Sequence, residues 1–497
     1  MAEKLSEITK IKRKMLTELA ALAFQNRLLS AIDDLPKKLT QEGLTHYRCC
    51  EYKERAILTE RIKLALGAQP AMVRDQRLSA VARQALAAPL AAPLDAAADG
   101  PAIAVIAESC DRCPIEKIVV TNACRNCVAH HCLNSCPKNA IEIVANRAYI
   151  NKERCVECGI CVKSCRFGAI LELERPCSRA CALDAIVPGE SSTARINYEK
   201  CVGCGACTVA CPFGAIAARS DLLKVIRMLQ DREPVTAIVA PSFIGQFGPL
   251  VEWSALQSGL TKLGFARTVS VARGAASVAA DEGAEVLHKL RTGAGFVMNS
   301  CCPSFKKLVA SQFPALAGKV SDVESPMLRT ARLVREESGS AAMKCVFIGP
   351  CLAKKEEAAR EGRGVIAAVL TFEELAVLLV AAGINLAEFS RESTQPESLP
   401  ADGMNFCAAG GVGNAIKAEI SRQDEAEAEQ FRVRSAAGVA ECIGLLRQAA
   451  QNGPDAEFVE GMGCAGGCLG GPGTLVEAKA AGRALARFLA KNKLIIP

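Results

Sequence analysis

Two stretches of this chain carry four cysteines at identical spacing. Cys155, Cys158, Cys161 and Cys165 follow C-x2-C-x2-C-x3-C, and so do Cys201, Cys204, Cys207 and Cys211. Three closely spaced thiolates with a fourth just beyond suit a cubane iron–sulfur cluster, the fourth thiolate serving a neighbouring cluster. Zinc ribbons are the competing chemistry, but tetrahedral zinc takes separated C-x2-C knuckles rather than runs of four. A third run, Cys124, Cys127, Cys132 and Cys136, is a spacing variant. One motif closes each half-unit: Cys136-Pro-Lys-Asn-Ala-Ile141, Cys165-Arg-Phe-Gly-Ala-Ile170, Cys181-Ala-Leu-Asp-Ala-Ile186 and Cys211-Pro-Phe-Gly-Ala-Ile216, at spacings of 29, 16 and 30 residues.

Two long spacings around a short one predict two tandem units of the bacterial ferredoxin kind. The half-unit ending at Cys181 is defective, keeping only Cys177 and Cys181. An orphan pair, Cys110 and Cys113, has the spacing of its missing first two ligands. The predicted partition is four [4Fe-4S] clusters. Cys124, Cys127, Cys132 and Cys165 hold one, and Cys155, Cys158, Cys161 and Cys136 another. Cys201, Cys204, Cys207 and Cys181 hold a third, and Cys110, Cys113, Cys177 and Cys211 the last. His130 and His131, inside the variant run, read as loop histidines rather than ligands. The adjacent Cys49 and Cys50 read as structural thiols, since neighbours seldom ligate one cluster.

The C-terminal half carries three further motifs: Asn299-Ser-Cys-Cys-Pro-Ser-Phe305, Gly349-Pro-Cys-Leu-Ala-Lys-Lys-Glu-Glu357 and Glu460-Gly-Met-Gly-Cys-Ala-Gly-Gly-Cys-Leu-Gly-Gly-Pro-Gly473. Cys302, Cys351, Cys464 and Cys468 could converge on a fifth cubane. The glycines would let backbone approach a bulky group. No Lys-Ser/Thr pair follows them, which argues against a phosphate-binding loop.

These motifs resemble the three signatures of [FeFe]-hydrogenases, over about residues 102–490. The resemblance implies that Cys302, Cys351, Cys464 and Cys468 hold the cubane of an H-cluster, with Cys468 bridging to a diiron centre carrying CO, cyanide and an amine-containing dithiolate. It implies that Cys301 passes protons to the bridge amine and that Lys354 hydrogen-bonds one cyanide. Ala240-Pro-Ser242, after an apolar strand, resembles the loop beside the diiron unit, with Ser242 donating to the other cyanide and Met462 packing alongside. In the family the proton relay runs Cys, Glu, Ser, Glu. Here Ser321 matches the Ser, Asp281 is expected to stand for one Glu, and Ala284 falls where the other is expected. Asn299 and Phe305 replace the family's Thr and Trp, Gly349 replaces a Met and is expected to leave room at the site, and Met327 replaces a Gln. These departures resemble a divergent, less-studied branch.

The elements that must position these residues follow from composition and periodicity. Half of the 497 residues are hydrophobic and 23% charged, so the chain is globular rather than disordered. Aromatic residues are only 4%, which disfavours a base-stacking platform for nucleic acid. The net charge of +7 counts every cysteine as neutral, so it is weak support for a polyanionic partner. Residues 1–85 carry apolar residues at helical spacing, with a second helix expected from Tyr52 to Leu66. Residues 86–101 read as an Ala/Pro linker, 102–221 as the ferredoxin-like domain and 222–497 as an α/β hydrogenase catalytic domain. Strands are expected at Val235 to Val239, Phe296 to Met298 and Cys345 to Ile348. No signal peptide or membrane span is legible, and many thiols suit a reducing compartment, so the expected location is cytoplasmic.

The expected activity is reversible reduction of protons to H2. The expected partners are a soluble carrier, ferredoxin or flavodoxin, the maturation proteins that build the diiron unit, and conceivably another subunit. A slow sensory hydrogenase and a non-catalytic iron–sulfur assembly or electron-transfer protein are the rival readings.

Overall fold

The computed structural model describes residues 5–41, 47–89, 102–113, 116–189, 193–249, 251–293, 295–340, 343–391 and 399–491. The catalytic half is built on two parallel sheets. The larger has the strand order Arg267–Ser270, Val235–Val239, Lys344–Gly349, Ile366–Thr371. Val235–Val239 is buried along its whole length, as a central parallel strand covered on both faces must be. The smaller sheet orders Val297–Met298, Phe458–Met462 and Val433–Ala437, all parallel. All strands of each sheet point one way, so each gathers the loops at its carboxyl ends on one edge, where such folds place their sites.

The N-terminal segment is helical as expected, with Glu7–Phe24 and Glu51–Ala65 as its long helices. It is not a separate domain. Its Met15, Leu16, Leu19 and Leu58 belong to the same apolar core as Val235, Ile348 and Leu370 of the larger sheet. Lys12 and Arg13 pair with Glu373 at the start of helix Phe372–Ala381. That helix is fixed by a capping box: Glu374 N–H donates to Thr371 Oγ1 at 3.1 Å and Thr371 N–H to Glu374 Oε2 at 2.6 Å. Of the expected linker, residues 86 and 87 close helix Leu78–Ala87, and 90–101 lie outside the described residues.

The two ferredoxin-like units are nested rather than tandem. Ile103–Val105 pairs antiparallel with Ile216–Ala218, and Ile186–Pro188 with Ala194–Ile196, making one unit. Ile118–Val120 pairs with Ile170–Glu172, and Ile141–Val144 with Arg147–Ile150, making the other. The second unit is therefore inserted between the first strand and the remainder of the first unit. This corrects the tandem expectation and accounts for the defective half-unit: its missing ligand pair lies before the insertion. No described helix is long and apolar enough to cross a membrane.

Candidate functional site

The sixteen thiols of the nested units fall into four groups. Cys124, Cys127, Cys132 and Cys165 line one cavity, and Cys136, Cys155, Cys158 and Cys161 another. In the outer unit, Cys177 is acted on by Cys211, Cys113 and Cys110, and Cys207 by Cys204, Cys201 and Cys181. Each repeated motif builds the same turn. Its fourth residue (Asn139, Gly168, Asp184 or Gly214) has positive φ, and the following alanine N–H points back at the cysteine sulfur. Those N–H to Sγ distances are 3.4 Å at Cys136, 3.3 Å at Cys165, 3.4 Å at Cys181 and 3.3 Å at Cys211.

The third motif meets the other two at the strand ends. Cys302 precedes helix Pro303–Gln312, Cys351 follows strand Lys344–Gly349, and Cys464 and Cys468 lie beyond strand Phe458–Met462. Cys468 feels Cys351, Cys302 and Cys464, so the four thiols form one group. Cys302 Sγ accepts the Gly463 N–H at 3.4 Å. Burial pushes the Cys351 thiol up to about 12, with Cys302 adding to the rise, and pushes Cys464 and Cys468 well above the ordinary thiol range. These three thiols become thiolates only against a bound metal charge. Among the described residues no three His, Cys, Asp or Glu side chains close on a single metal ion. Cys204 acts on Cys464, so the group holding Cys201, Cys204, Cys207 and Cys181 is next to this one.

Two side chains fit the diiron group implied by the resemblance. Ser242, in the turn after strand Val235–Val239, is wholly buried, yet its hydroxyl has no hydrogen-bond partner. A buried hydroxyl without a partner costs about 1–3 kcal/mol, so the site is built for an acceptor the protein chain does not supply. Lys354, also buried, donates to the Cys301 carbonyl at 3.2 Å and pairs with Glu357 at 2.5 Å. Ala240 and Pro241 are buried beside Ser242, and Met462 packs in an apolar cluster that Cys301 also touches. Gly349 does not open the site as expected. Its Cβ direction runs into the Phe347 ring at 2.6 Å, so a phenylalanine two residues earlier fills that space.

The relay residues are not those expected. Asp281 is half exposed and paired with Arg329 at 2.6 Å, on the outward side of helix Ala272–Arg291. Glu282, the next residue, is fully buried and receives the Ser300 N–H at 3.2 Å. Cys301 feels its charge directly. Burial pushes the Glu282 carboxyl up to about 8, and contacts from Ser300 and Ser321 offset part of that rise. Ser321 Oγ donates to Glu285 at 2.5 Å, and Glu285 pairs with Lys289 at 2.6 Å near the exposed Asp322. Glu282 thus acts on Cys301, and Ser321 and Glu285 lie beyond it toward solvent. The expected positions 281 and 284 each lie one residue before these acids. Spacing alone could not choose, since Asp281 (i, i+4) and Glu282 (i, i+3) both share a helix face with Glu285.

Asn299, read from the sequence only as a departure from the family's Thr, has a structural role. Its side chain bonds the backbone of Gly461 in both directions, at 2.7 and 3.3 Å, and donates to Cys301 Sγ at 3.1 Å. Phe305 packs its ring against Gly461, which leaves no room for a Cβ there. Both departures thus clamp the first motif to the third. Cys345, Cys407 and Cys442 are buried, as expected of structural thiols.

Residues 233–472 match the family described as iron only hydrogenase large subunit, C-terminal domain. Residues 148–171 and 194–217 match the 4Fe-4S binding domain. Among curated proteins, Iron hydrogenase 1 of Clostridium pasteurianum is 27% identical over 284 residues, 48% of this chain and 50% of that protein. The periplasmic [Fe] hydrogenase large subunit of Nitratidesulfovibrio vulgaris is 31% identical over 159 residues, 28% of this chain and 38% of that protein. This chain thus spans half or less of the length of these curated relatives. A solved structure of the [FeFe]-hydrogenase HydA1 from Chlamydomonas reinhardtii is 21% identical at a TM-score of 0.44, covering 52% of this chain and 88% of that one.

Proposed function

We infer that this chain, which belongs to the iron-only hydrogenase family through residues 233–472, reversibly reduces protons to H2 with electrons passed along four [4Fe-4S] clusters. The observation that carries this reading is the convergence of four buried thiols with the partnerless Ser242 hydroxyl, the buried Lys354 and a buried relay leading out from Cys301.

Cys302, Cys351, Cys464 and Cys468 would hold the H-cluster, Lys354 and Ser242 its cyanides. The bound group supplies the metals at which H2 is formed or split. The protein's share is proton handling, orientation and exclusion of water. Cys301 Sγ holds the proton nearest the site, and burial keeps it a thiol at neutral pH. Glu282, largely protonated below about pH 8, takes that proton's place in the line. A protonated Glu282 donates to Ser321 Oγ, whose own proton points to Glu285. Stepwise transfer would require each group to come within hydrogen-bond reach of the next; the Ser321–Glu285 bond is already formed. Glu357 fixes the Lys354 ammonium and keeps it charged.

Electrons would enter the inserted unit from a soluble ferredoxin or flavodoxin and leave by Cys204 toward Cys302 and Cys464. Cys158 in the inserted unit is exposed, whereas Cys207 is buried, which supports entry there. Maturation proteins would build the diiron unit, and a reducing cytoplasmic compartment would keep the 26 cysteines available as ligands. The test is infrared spectroscopy of anaerobically matured protein with an H2 assay. Metal-bound CO and cyanide bands with H2 turnover are expected. Loaded cubanes without such bands, beside a control hydrogenase matured in parallel, would leave an electron-transfer or assembly protein instead.

A further inference from the structure

The four repeated turns are alike in backbone but not in what covers them. The Asn139 carbonyl of the first turn receives an exposed arginine, Arg154, whose charge is matched by Glu142. The second, at Gly168, has open space where a Cβ would lie. The fourth, at Gly214, is covered by Arg61 from helix Glu51–Ala65, whose guanidinium lies over the glycine and donates to its carbonyl. Arg61 is buried and has no carboxylate partner among the described residues. A buried cation needs a counter-charge, because desolvation costs several kcal/mol per ion. The nearest groups do not provide one. Tyr47 is held neutral by burial, its hydroxyl pushed up to about 12. Arg48 is itself a cation; it shares Asp111 with Lys53, at 3.2 and 3.1 Å, and donates to the Ser109 carbonyl at 2.7 Å. The remaining neighbour is Cys211, which lines the same cavity as Arg61 and acts on its charge.

We propose that Arg61 is the built-in counter-charge of the cubane held by Cys110, Cys113, Cys177 and Cys211, so that the N-terminal helices raise the reduction potential of that one cluster. The proposal rests on the cluster assignment above. An oxidised cubane with four thiolates carries about −2 and its one-electron reduced form about −3, so a fixed adjacent cation favours the reduced form. The electron comes from a neighbouring cubane, and no proton is required. Cys207 feels Cys177, so this cluster adjoins the one beside the catalytic thiols. It then serves as a resting place for an electron one step from the site. This gives the N-terminal segment a role: Arg61 adds buried positive charge to a cluster whose Cys113 also feels Arg175.

The test is a redox titration followed by electron paramagnetic resonance on the full chain with all cubanes loaded and without the diiron unit, so the outcome is independent of hydrogenase activity. Cys110→Ser identifies the signal of this cluster. Arg61→Gln is expected to lower its reduced fraction at fixed potential at least about tenfold, a shift of about 59 mV for one electron, with the other cubanes within about threefold. Arg61→Lys, which keeps the charge but not the fork on Gly214, is expected to stay within about threefold of the parent. Arg154→Gln is expected to shift no cluster comparably. Unchanged potentials in Arg61→Gln with full iron content would overturn the proposal. So would equal shifts in the Lys and Gln variants, which would make Arg61 a tie for the turn rather than a charge. If Arg61→Gln loses iron, the Lys variant decides alone: a large shift refutes, a retained potential supports. Absence of any cluster signal that Cys110→Ser removes would instead refute the cluster assignment.

Discussion

Replacing Glu282 by Gln should slow turnover and at the same time stabilise the protein at high pH. Glu282 is fully buried, and its carboxyl is pushed from 4.5 to about 8 by desolvation. Its folded-state value lies above its unfolded value. Between pH 4.5 and 8 the unfolded chain therefore gives up a proton that the folded chain keeps. Stability attributable to this group is full below about pH 4.5 and falls through that window, by about 1.4 kcal/mol per pH unit. Between pH 6 and pH 8 the parent should lose roughly 2 kcal/mol that the Gln variant keeps, the slope flattening as pH nears 8. In a domain of this size that corresponds to roughly 4–8 °C in melting temperature. Gln cannot pass a proton along the line, and loss of a general acid–base group costs about 10²–10⁴-fold. The assays are anaerobic melting curves from pH 6 to 8 for both proteins, and H2 evolution with a small-molecule reductant. Parallel pH dependences of melting would refute the buried-carboxyl argument. Unimpaired H2 evolution would remove Glu282 from the relay.

Asp281→Asn, by contrast, should leave turnover within about twofold, since an exposed pair with Arg329 contributes at most about 1 kcal/mol; a loss like that of Glu282→Gln would restore it to the relay. Cys301→Ala should lower turnover by about 10²–10⁴-fold with iron content unchanged, checked by iron analysis beside the H2 assay. Cys110→Ser combined with Cys113→Ser should remove about four irons, one cubane, whereas Cys345→Ser should remove none; elemental analysis distinguishes them. Lys354→Met should leave the ferredoxin-type clusters loaded while weakening retention of the diiron unit, read as loss of cyanide infrared bands, because a buried charge-assisted bond is lost and Glu357 is left unpaired.

What was legible in the sequence was whatever a short motif fixes locally. The C-x2-C-x2-C-x3-C runs fix their turns because each motif repeats the same positive-φ residue and the same N–H to sulfur bond. Strand Val235–Val239 was legible because a central parallel strand is one unbroken apolar run. The nesting of the two units was not, since Ile103–Val105 and Ile216–Ala218 pair across more than a hundred residues and nothing local marks that pairing. Glu282 was missed for a different reason. Asp281 and Glu282 are adjacent acids on one helix, and only packing decides which faces Ser300 and which faces Arg329. Asn299 and Phe305 looked like departures from a family pattern. In place they do one job together, each meeting Gly461 from the first motif.

Chain order and electron order need not agree here, and the nested fold explains why. The insertion leaves the outer unit between Cys113 and Arg175, and those two ends lie side by side, since the Arg175 charge acts on Cys113. A unit whose ends meet can be added to another without pulling it apart. The outer unit keeps its strands, its two repeated contacts at Cys181 and Cys211 and its approach to Cys302 through Cys204. It is also the unit that the N-terminal helices grip, through Arg48 at Ser109 and Arg61 at Gly214. The inserted unit has neither tie, and carries the more exposed thiols. The physical division is therefore between an outer unit tied to the N-terminal helices and an inserted one without those ties. That is the arrangement expected if the tied unit sets the potentials near the site and the inserted unit, with the more exposed thiols, meets the partner.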